Sequence, residues 1–196
     1  MSFKAFTDDT VVAWTDIETT GLLNPAIIEV GVILTRGHDL DEIARTSVFT
    51  RPDELGIGEV VAMMDDFVTS MHTESGLLGE YQSPDSKIFP YTEADEYLRG
   101  FMVSHLGEDA RPLLGGSSIT FDRSCLEPAM PGFYRLLHYR SIDMTSVSFF
   151  VSSILGHLPP VVTGATAHRS LGDLEENIAQ WRVHSAAMRS LTGHES

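Results

Sequence analysis

Apolar residues in the first fifty positions fall into three short runs, each separated from the next by a polar or glycine-containing turn. The runs cover residues 11–17, 26–35 and 44–50, and they are rich in the β-branched residues that favour strands. Because the connections between them are short, the runs predict antiparallel hairpins. Residues 51–90 show only short apolar pieces among Gly, Pro and Asp, and they predict a loop with one or two short helices that could form a lid.

Helical periodicity appears in the second half of the chain, where it alternates with strand-like segments. Helices are predicted at residues 92–106, 121–130, 147–155 and from 171 to 188, and strands at 112–118 and 139–143. A loop with two consecutive prolines, over residues 156–164, precedes the last helix. Three strands followed by alternating helices and strands predict an α/β protein whose five-stranded sheet is flanked by helices.

Composition places the chain among ordinary globular domains. Its 196 residues and 42% hydrophobic content fit one domain without internal repeats. The single cysteine, Cys125, excludes an intramolecular disulfide and suits a reducing compartment. No apolar run approaches the ~18 residues of a membrane span, and the first residues lack the apolar stretch of a signal peptide. We therefore expect a cytoplasmic protein that does not enter a membrane.

The charge balance is strongly acidic and restricts the partners that the protein can bind. Asp and Glu total 28 against 13 Lys and Arg, which gives a formal net charge of −15. Proteins that hold long duplex nucleic acid obtain most of their affinity from a basic surface, and the sequence shows no basic stripe. Long duplexes are therefore disfavoured, whereas a small anion held by a few arginines or by metal ions is compatible with this charge.

The most informative pair of charges is Asp16 and Glu18, which lie two residues apart in the first predicted strand. Side chains two apart in a strand point to the same face, so the two carboxylates converge. Two like charges in a half-buried position repel each other and lose hydration, which favours a hard cation such as Mg²⁺ or Mn²⁺ beside them. The alternative is a strand end at which both carboxylates simply face water.

Two further groups are candidates for the same site. His168 and Asp173 can meet if His168 lies on the loop before the last helix and Asp173 in its first turn, with Ser170 as the cap residue. Asp122 follows a run of small residues, 115–118, that permits a close approach of the backbone to a ligand. Taken singly, each is better explained as a charge that stabilises a helix terminus or as a surface residue.

Together these residues resemble the DEDDh superfamily of exonucleases, which carries four acidic metal ligands and a histidine. Asp16 and Glu18 match its first motif, Asp122 its second, and His168 with Asp173 its third. Within the superfamily the chain is most similar to oligoribonucleases, on the strings MDD (64–66), HTESGL (72–77), GSSI (116–119) and HYR (138–140). The resemblance runs from about residue 11 to residue 185 and so covers nearly the whole chain.

The resemblance implies a single exonuclease domain over residues 1–196 with a ribonuclease H-like fold, in which three antiparallel strands are followed by parallel ones. It also implies 3′-to-5′ hydrolysis of short single-stranded RNA, from dinucleotides to about five-mers, into 5′-mononucleotides. Two divalent cations, Mg²⁺ or Mn²⁺, would be held by four carboxylates, those of Asp16, Glu18, Asp122 and Asp173. His168 would take the proton of the attacking water. Such ions would provide a local positive charge at which an acidic protein can bind the negatively charged RNA.

The resemblance further assigns contacts at both ends of a short substrate. Leu22 would wedge between the bases, and His72 would lie near the scissile end. Ser118, Arg140 and Thr145 would hold the 5′ phosphate, with Arg140 reaching in from a second subunit, so a homodimer is implied. Read from the residues alone, Leu22 could be an ordinary core residue and Arg140 a surface residue in a weak ion pair. A cap on the 5′ phosphate would exclude longer chains.

Four positions depart from the oligoribonuclease pattern and leave the substrate open. Thr19 stands where these enzymes usually have Met, and the pair Thr19-Thr20 is closer to proofreading exonuclease domains. Ser117, Phe67 and Gly172 replace a usual Asn, Trp and acidic residue. The alternatives are therefore a proofreading-type exonuclease that acts on single-stranded DNA and, from a different class, a non-catalytic nucleotide-binding module.

Overall fold

Six strands and eight helices make up the part of the chain, residues 6–161 and 168–192, that the computed structural model describes. The strands are β1 (Val11–Thr19), β2 (Ile27–Arg36), β3 (Asp41–Arg51), β4 (Ile88–Pro90), β5 (Leu113–Gly116) and β6 (Ser141–Asp143). The helices are α1 (Ile57–Val61), α2 (Asp66–Glu74), α3 (Leu77–Tyr81), α4 (Tyr91–Leu106), α5 (Thr120–Ala129), α6 (Pro131–Tyr134), α7 (Met144–Leu155) and α8 (Ser170–Thr192).

The strands form one mixed sheet in the order β4-β3-β2-β1-β5-β6. β1, β2 and β3 pair antiparallel, whereas β5 runs parallel to β1 and β6 runs parallel to β5. The predicted fold class, a mixed sheet of antiparallel and then parallel strands flanked by helices, is confirmed. The sheet has six strands and not five, because β4 adds in parallel to the edge of β3. Its three residues are too few to give a periodic signal in the sequence.

β1 is an inner strand of the sheet, and it determines where the predicted acidic pair lies. Its even-numbered side chains Val12 and Trp14 pack in one apolar cluster with residues of α8. Its odd-numbered side chains Ala13 and Ile17 pack on the opposite face, in a larger cluster that includes residues of α4 and α5. Because Asp16 continues the even-numbered series, it faces the start of α8 together with the carboxylate two residues on.

The two glycines of β5 pack closely against β1. A Cβ on Gly115 would lie 2.6 Å from the Trp14 ring, and a Cβ on Gly116 would lie 2.9 Å from the Thr15 carbonyl oxygen. Glycine is therefore required at both positions because the neighbouring strand fills the space. That this run of small residues also permits a close approach of the backbone to a ligand stays a prediction.

Residues 51–90 contain three short helices and β4, which is more regular structure than the sequence predicts. A buried apolar cluster joins the segment to the sheet through Ala26, Ile28, Val60, Leu77 and Tyr81. The Tyr81 hydroxyl also donates a hydrogen bond to the Thr50 carbonyl oxygen at 2.9 Å. The helix α3 is therefore packed into the core, and it is not a detached lid in this structure.

The region between α7 and α8 is described only in part. α7 ends at Leu155 and is followed by Gly156, whose left-handed φ of 76° is typical of a helix C-terminus. The predicted loop over residues 156–164 can be followed to residue 161, and the remainder lies outside the described residues. Among the helices of the described part, none is long and apolar enough to cross a membrane.

Candidate active site

Three carboxylates meet where the end of β1 faces the start of α8. Asp16 and Glu18 come from β1, and Asp173 lies in the first turn of α8. One oxygen from each of the three lies within 4.8 Å of the others, which is close enough for a shared cation. The fold therefore brings together three of the four acidic residues that the sequence singles out, although they are far apart along the chain.

The fourth acidic residue, Asp122, lies in the first turn of α5 beside this triplet. Because β5 is parallel to β1, the helix that follows β5 begins near the sheet edge at which β1 ends. Asp122 is 5% exposed, and it accepts a hydrogen bond from the backbone of Ile17. After burial, the charge of Asp122 is the largest cause that raises the pKa of Asp16. It is outside the closest triplet found among the described residues.

Burial is the largest cause that raises the pKa of each of the four carboxylates. Repulsion by other members of the cluster raises the pKa further for Asp16 and Glu18. Burial raises the pKa of Asp122 to about 7. Burial together with the charges of Asp173 and Glu29 raises the pKa of Glu18 to about 8. The pKa of Asp16 lies well above its usual value. Carboxylates that repel one another this strongly need a nearby positive charge before all of them can ionise.

The donor set of the cluster suits a hard divalent cation. Carboxylate oxygens are the ligands that Mg²⁺ and Mn²⁺ prefer, whereas thiolates select softer metals. A cation among these oxygens would lower their pKa values and offset the repulsion between them. The residues present therefore fit the ions expected from the sequence, and the ligands would be Asp16, Glu18, Asp122 and Asp173.

His168 lies two residues before α8, outside the helix, which is the position that it needs in order to meet Asp173. Its side chain is exposed, and its backbone has a left-handed φ of 60°, which is uncommon for a residue other than glycine. The pKa of Asp173 is raised by burial and lowered by the charge and the backbone hydrogen bond of His168, so the two residues are in contact. Ser170 is the first residue of α8 and not the cap residue that the sequence predicts.

His72 is fully buried on α2, on the inner side of the acidic cluster. Its Nε2 lies 2.9 Å from the Thr19 carbonyl oxygen, and its Nδ1 lies 3.9 Å from a carboxylate oxygen of Glu18. Burial lowers its pKa, which favours the neutral imidazole. In this conformation His72 has no exposed surface for the expected substrate contact, and it meets the site through Glu18 instead.

Glu29 is a fifth carboxylate beside the site, and it was missed at the level of sequence. It lies directly opposite Glu18 in the pairing of β1 with β2, and it is 3% exposed. Its carboxylate accepts a hydrogen bond from the backbone N–H of Ser170 and forms an ion pair with Arg169. The sequence does carry one signal for it, since Glu29 is the only charged residue in the apolar run 26–35.

Two of the residues expected to hold the 5′ phosphate lie together at the ends of β5 and β6. The hydroxyl oxygens of Ser118 and Thr145 are 3.3 Å apart. Ser118 follows β5 with a left-handed φ of 53°, and Thr145 lies in the first turn of α7. Arg140 comes just before β6, and its guanidinium lies 5.2 Å from the centre of the Tyr139 ring. Paired hydroxyls of this kind can donate to a phosphate oxygen.

Leu22 lies in the turn between β1 and β2, where its side chain is 80% exposed. It borders a cavity of about 480 Å³ whose walls include Ile27, Tyr91, Phe121 and Cys125. Because the leucine is at the surface, the explanation of Leu22 as an ordinary core residue is wrong. Its contact with a nucleobase remains a prediction.

Several curated proteins named oligoribonuclease are similar to this chain over most of its length, although no family model matches it. The chain is 32% identical to the oligoribonuclease of Shewanella loihica over 182 residues, 90% of this chain and 94% of the relative. It is 32% identical to that of Corynebacterium diphtheriae over 178 residues, 86% of this chain and 79% of the relative. With the relative from Coxiella burnetii it shares 29% identity over 191 residues, 95% of this chain and 98% of the relative.

Solved structures of exonuclease I share the ribonuclease H-like fold. A zinc-bound complex of E. coli exonuclease I with single-stranded DNA has a TM-score of 0.65 at 13% identity, over 95% of this chain and 42% of that one. Exonuclease I of Methylocaldum szegediense has a TM-score of 0.59 at 13% identity, over 94% and 41%. The chain thus spans about two fifths of these structures, which share its fold alone. Because relatives above 30% identity match it over most of their length, the chain belongs to the oligoribonuclease family.

Proposed function

We propose that this protein is a divalent-metal-dependent 3′-to-5′ exoribonuclease that hydrolyses short oligonucleotides, from dinucleotides to about five-mers, to 5′-mononucleotides. The observation that carries the proposal is the convergence of Asp16, Glu18 and Asp173, with Asp122 beside them, in a chain of the oligoribonuclease family. The reaction adds water across a phosphodiester bond. Its products are a nucleotide with a 5′ phosphate and a chain, one nucleotide shorter, with a free 3′ hydroxyl.

In the proposed site the four carboxylates hold two divalent cations, Mg²⁺ or Mn²⁺. When bound, such cations offset the charge of the scissile phosphate and favour attack by water. The protein's own contribution is to keep the ligand oxygens in place before the substrate arrives. The backbone of Ile17 holds Asp122, and the backbone of His168 holds Asp173, through hydrogen bonds to the two carboxylates. A site that is organised in advance loses little free energy to rearrangement during the reaction.

His168 is the proposed general base. Imidazole is a common base in enzymes because it exchanges protons near neutral pH. The His168 side chain is exposed beside Asp173, so water can reach it. It would accept one proton from the attacking water as the new P–O bond forms. The bond from phosphorus to the 3′ oxygen would break, that oxygen would take a proton from solvent to become the 3′ hydroxyl, and His168 would then return its own proton to solvent.

The proposed substrate path runs from the acidic cluster to the hydroxyl pair of Ser118 and Thr145. Arg140 is proposed to hold the 5′ phosphate of the substrate in the neighbouring subunit of a homodimer. Two exposed aromatic side chains on α7 support a second chain at this surface, since Phe149 is 72% exposed and Phe150 is 60% exposed. Large apolar side chains that are adjacent and exposed are typical of surfaces covered by another protein.

A product time course on 5′-phosphorylated RNA of two to seven nucleotides tests this function, with Mg²⁺, with Mn²⁺ and with EDTA. We expect mononucleotides from the first time point, the fastest turnover on dinucleotides, and no product in EDTA. Asp16→Ala should lose activity and keep the circular dichroism spectrum of the parent protein. Product formation in EDTA, or full activity of Asp16→Ala, would contradict the proposed metal-dependent site. Binding of dinucleotides without any product, in the presence of either metal, would favour a non-catalytic nucleotide-binding module.

A proofreading-type exonuclease that acts on single-stranded DNA is the second candidate. It is favoured by the fold shared with exonuclease I and by the pair Thr19-Thr20 at the end of β1. The same length series in DNA, extended to a long single strand, separates the two activities. Equal rates on long DNA and on RNA dinucleotides would favour the DNA enzyme. The cytoplasm is the proposed location for either activity, because the single cysteine suits a reducing compartment.

A further inference from the structure

The segment directly before α8 is held by a network of charges that the proposed reaction does not itself use. The guanidinium of Arg169 lies between carboxylates from two other parts of the chain. Its Nη1 and Nη2 donate to the two oxygens of Glu80 at 3.1 Å and 2.9 Å, and Nη2 lies 3.4 Å from an oxygen of Glu29. Arg169, the residue that follows His168, therefore links this segment to both α3 and β2.

Glu29 holds the next residue of the segment as well. One of its oxygens accepts the backbone N–H of Ser170 at 3.1 Å, and the other accepts the Ser47 hydroxyl at 2.9 Å. The space beside it is also closed, since a Cβ on Gly31 would lie 2.6 Å from the Ser170 hydroxyl oxygen. A buried carboxylate of β2 thus fixes both the side chain of Arg169 and the backbone of the residue after it.

His168 has a backbone conformation that needs such anchors. Its φ of 60° lies in the left-handed region, which residues with a Cβ rarely adopt. Backbone conformations of this kind persist where the surrounding contacts fix them, and they occur often at functional sites. The contacts at hand are the pairing of Arg169, the hydrogen bond of Ser170 and the acceptance of the His168 N–H by Asp173.

We propose that Arg169 is a positioning residue which, with Glu29 and Glu80, fixes the backbone after His168 and so keeps the imidazole beside Asp173. The inference rests on the proposed role of His168 as general base. The pair with Glu80 should contribute little to stability, because the Glu80 side chain is 56% exposed and exposed ion pairs are weak. The buried Glu29 keeps its hydrogen bonds from Ser170 and Ser47 when the arginine is removed. Loss of Arg169 should therefore slow the reaction far more than it lowers the melting temperature.

A double-mutant cycle between Arg169→Ala and His168→Ala tests the proposal on the full-length protein. Arg169→Ala alone should lower kcat by about 10- to 100-fold, because a misplacement of about 1 Å can cause losses of this size, while KM for a dinucleotide stays nearly constant. In the His168→Ala background the same substitution should have no further effect, since the group through which it acts is gone. Arg169→Lys should recover part of the loss, because lysine keeps the charge but not the two-point contact.

Measurements that do not depend on turnover separate positioning from a structural role. Mn²⁺ affinity, measured by calorimetry, should not fall in Arg169→Ala, because the substitution removes a positive charge near the carboxylates. The melting temperature should stay close to that of the parent protein. A loss of Mn²⁺ affinity or of thermal stability that parallels the loss of kcat would overturn the proposal in favour of a structural role.

Arg45→Ala is the matched control, and it should leave kcat unchanged. Arg45 also bridges two glutamates, Glu42 and Glu175, but neither of them belongs to the acidic cluster. If the effects of Arg169→Ala and His168→Ala multiply in the double variant, or if Arg169→Ala keeps full activity, the inference is wrong and the proposed function stands. Full activity of His168→Ala would instead remove the proposed base and this inference with it.

Discussion

The two ends of the proposed substrate path differ in how completely this chain builds them. The acidic cluster takes its groups from β1, α5 and α8, and two of them are almost fully buried, with Asp122 5% exposed and Glu18 7% exposed. The hydroxyl pair of Ser118 and Thr145 lies at the surface, and Ser118 is exposed. The first region is therefore fixed by the core of one chain, whereas the second is open.

This difference follows from the physical demands of the two tasks. Carboxylates that repel one another stay together only when the core holds them. For Asp16 and Glu18, this repulsion raises the pKa, and only burial raises it more. A phosphate can be held by exposed donors, and those donors can come from a second chain. Substitutions in the acidic cluster should therefore stop the reaction, and substitutions near the hydroxyl pair should change which substrates are preferred.

The largest effect is expected for Asp16→Asn, which removes a charge from the acidic cluster. We expect kcat to fall by at least about 10³-fold, because a bound divalent cation supplies several kcal/mol of transition-state stabilisation. In EDTA the variant should melt at a higher temperature than the parent protein, because the amide removes a buried repulsion. Steady-state kinetics and thermal melts measure the two effects.

Asp109→Asn is the control for this substitution, since it makes the same chemical change at an exposed position after α4. It should leave kcat and the melting temperature unchanged. If Asp16→Asn kept more than about a tenth of the parent activity, an effect well under 2 kcal/mol, the acidic cluster would not be the catalytic centre.

Metal affinity should depend on pH in the range in which the carboxylates of the cluster titrate. Asp122 has a pKa of about 7 and Glu18 a pKa of about 8, so between pH 8 and pH 6 these groups take up protons that a cation must displace. Between pH 8 and pH 6 the proton on Glu18 weakens binding about 50-fold and the proton on Asp122 about tenfold, so the affinity for Mn²⁺ should fall about 500-fold across this interval. Calorimetric titration at several pH values measures it, and a constant affinity would show that the cluster does not bind the ion.

The stability of the metal-free protein should fall as the pH rises, whereas the affinity for Mn²⁺ should increase. Because the pKa values of Glu18 and Asp122 are raised on folding, to about 8 and about 7, the folded protein holds more protons than the unfolded chain above about pH 4.5. The stability that these two groups contribute to the folded protein is fully present below their unfolded pKa values. It is lost as the pH rises through their folded pKa values, about 7 for Asp122 and about 8 for Glu18. We expect the melting temperature in EDTA to fall by about 5 °C or more from pH 5 to pH 9, and Mn²⁺ to remove the fall. A melting temperature that rises over this range would contradict the assignment.

The acidic cluster could be predicted because its members lie where the sequence pattern marks an element. Asp16 and Glu18 share a face of a run that alternates as a strand, and Asp173 comes three residues into a helix with clear apolar spacing. Each local pattern also had an ordinary structural explanation. The order and spacing of all the motifs together favoured the metal site over these explanations, because they resemble those of the DEDDh exonucleases.

The contacts around the cluster could not be predicted, because they depend on strand register. Glu29 faces Glu18 only because β2 pairs with β1 in one particular register. Gly115 suggested access for a ligand, and its missing side chain also makes room for Trp14 of the neighbouring strand. Both contacts join segments that are distant in sequence, and periodicity within one segment carries no information about them.

Arg140→Ala should alter substrate choice more than it alters the chemistry. A charge-assisted hydrogen bond contributes about 1.5–3 kcal/mol, so kcat/KM on 5′-phosphorylated dinucleotides should fall about 10- to 100-fold. Dinucleotides with a 5′ hydroxyl should lose far less, because they lack the group that the arginine holds. Arg99→Ala, at an exposed position on α4, is the control and should change neither substrate. An equal loss on both substrates would show that Arg140 does not recognise the phosphate.

Ser118→Gly should have the smallest effect, and it separates the two regions most sharply. The left-handed φ of 53° at Ser118 suits glycine, so the melting temperature should not fall. Loss of one neutral hydroxyl contact is worth about 0.5–1.5 kcal/mol, so KM for phosphorylated dinucleotides should rise about two- to tenfold while kcat stays constant. Thr145→Val removes the other hydroxyl and should raise KM similarly. A change confined to KM would show that the hydroxyl pair only binds the substrate. A parallel fall in kcat would show that the pair acts as one unit with the acidic cluster, and the distinction between the two regions would then be wrong.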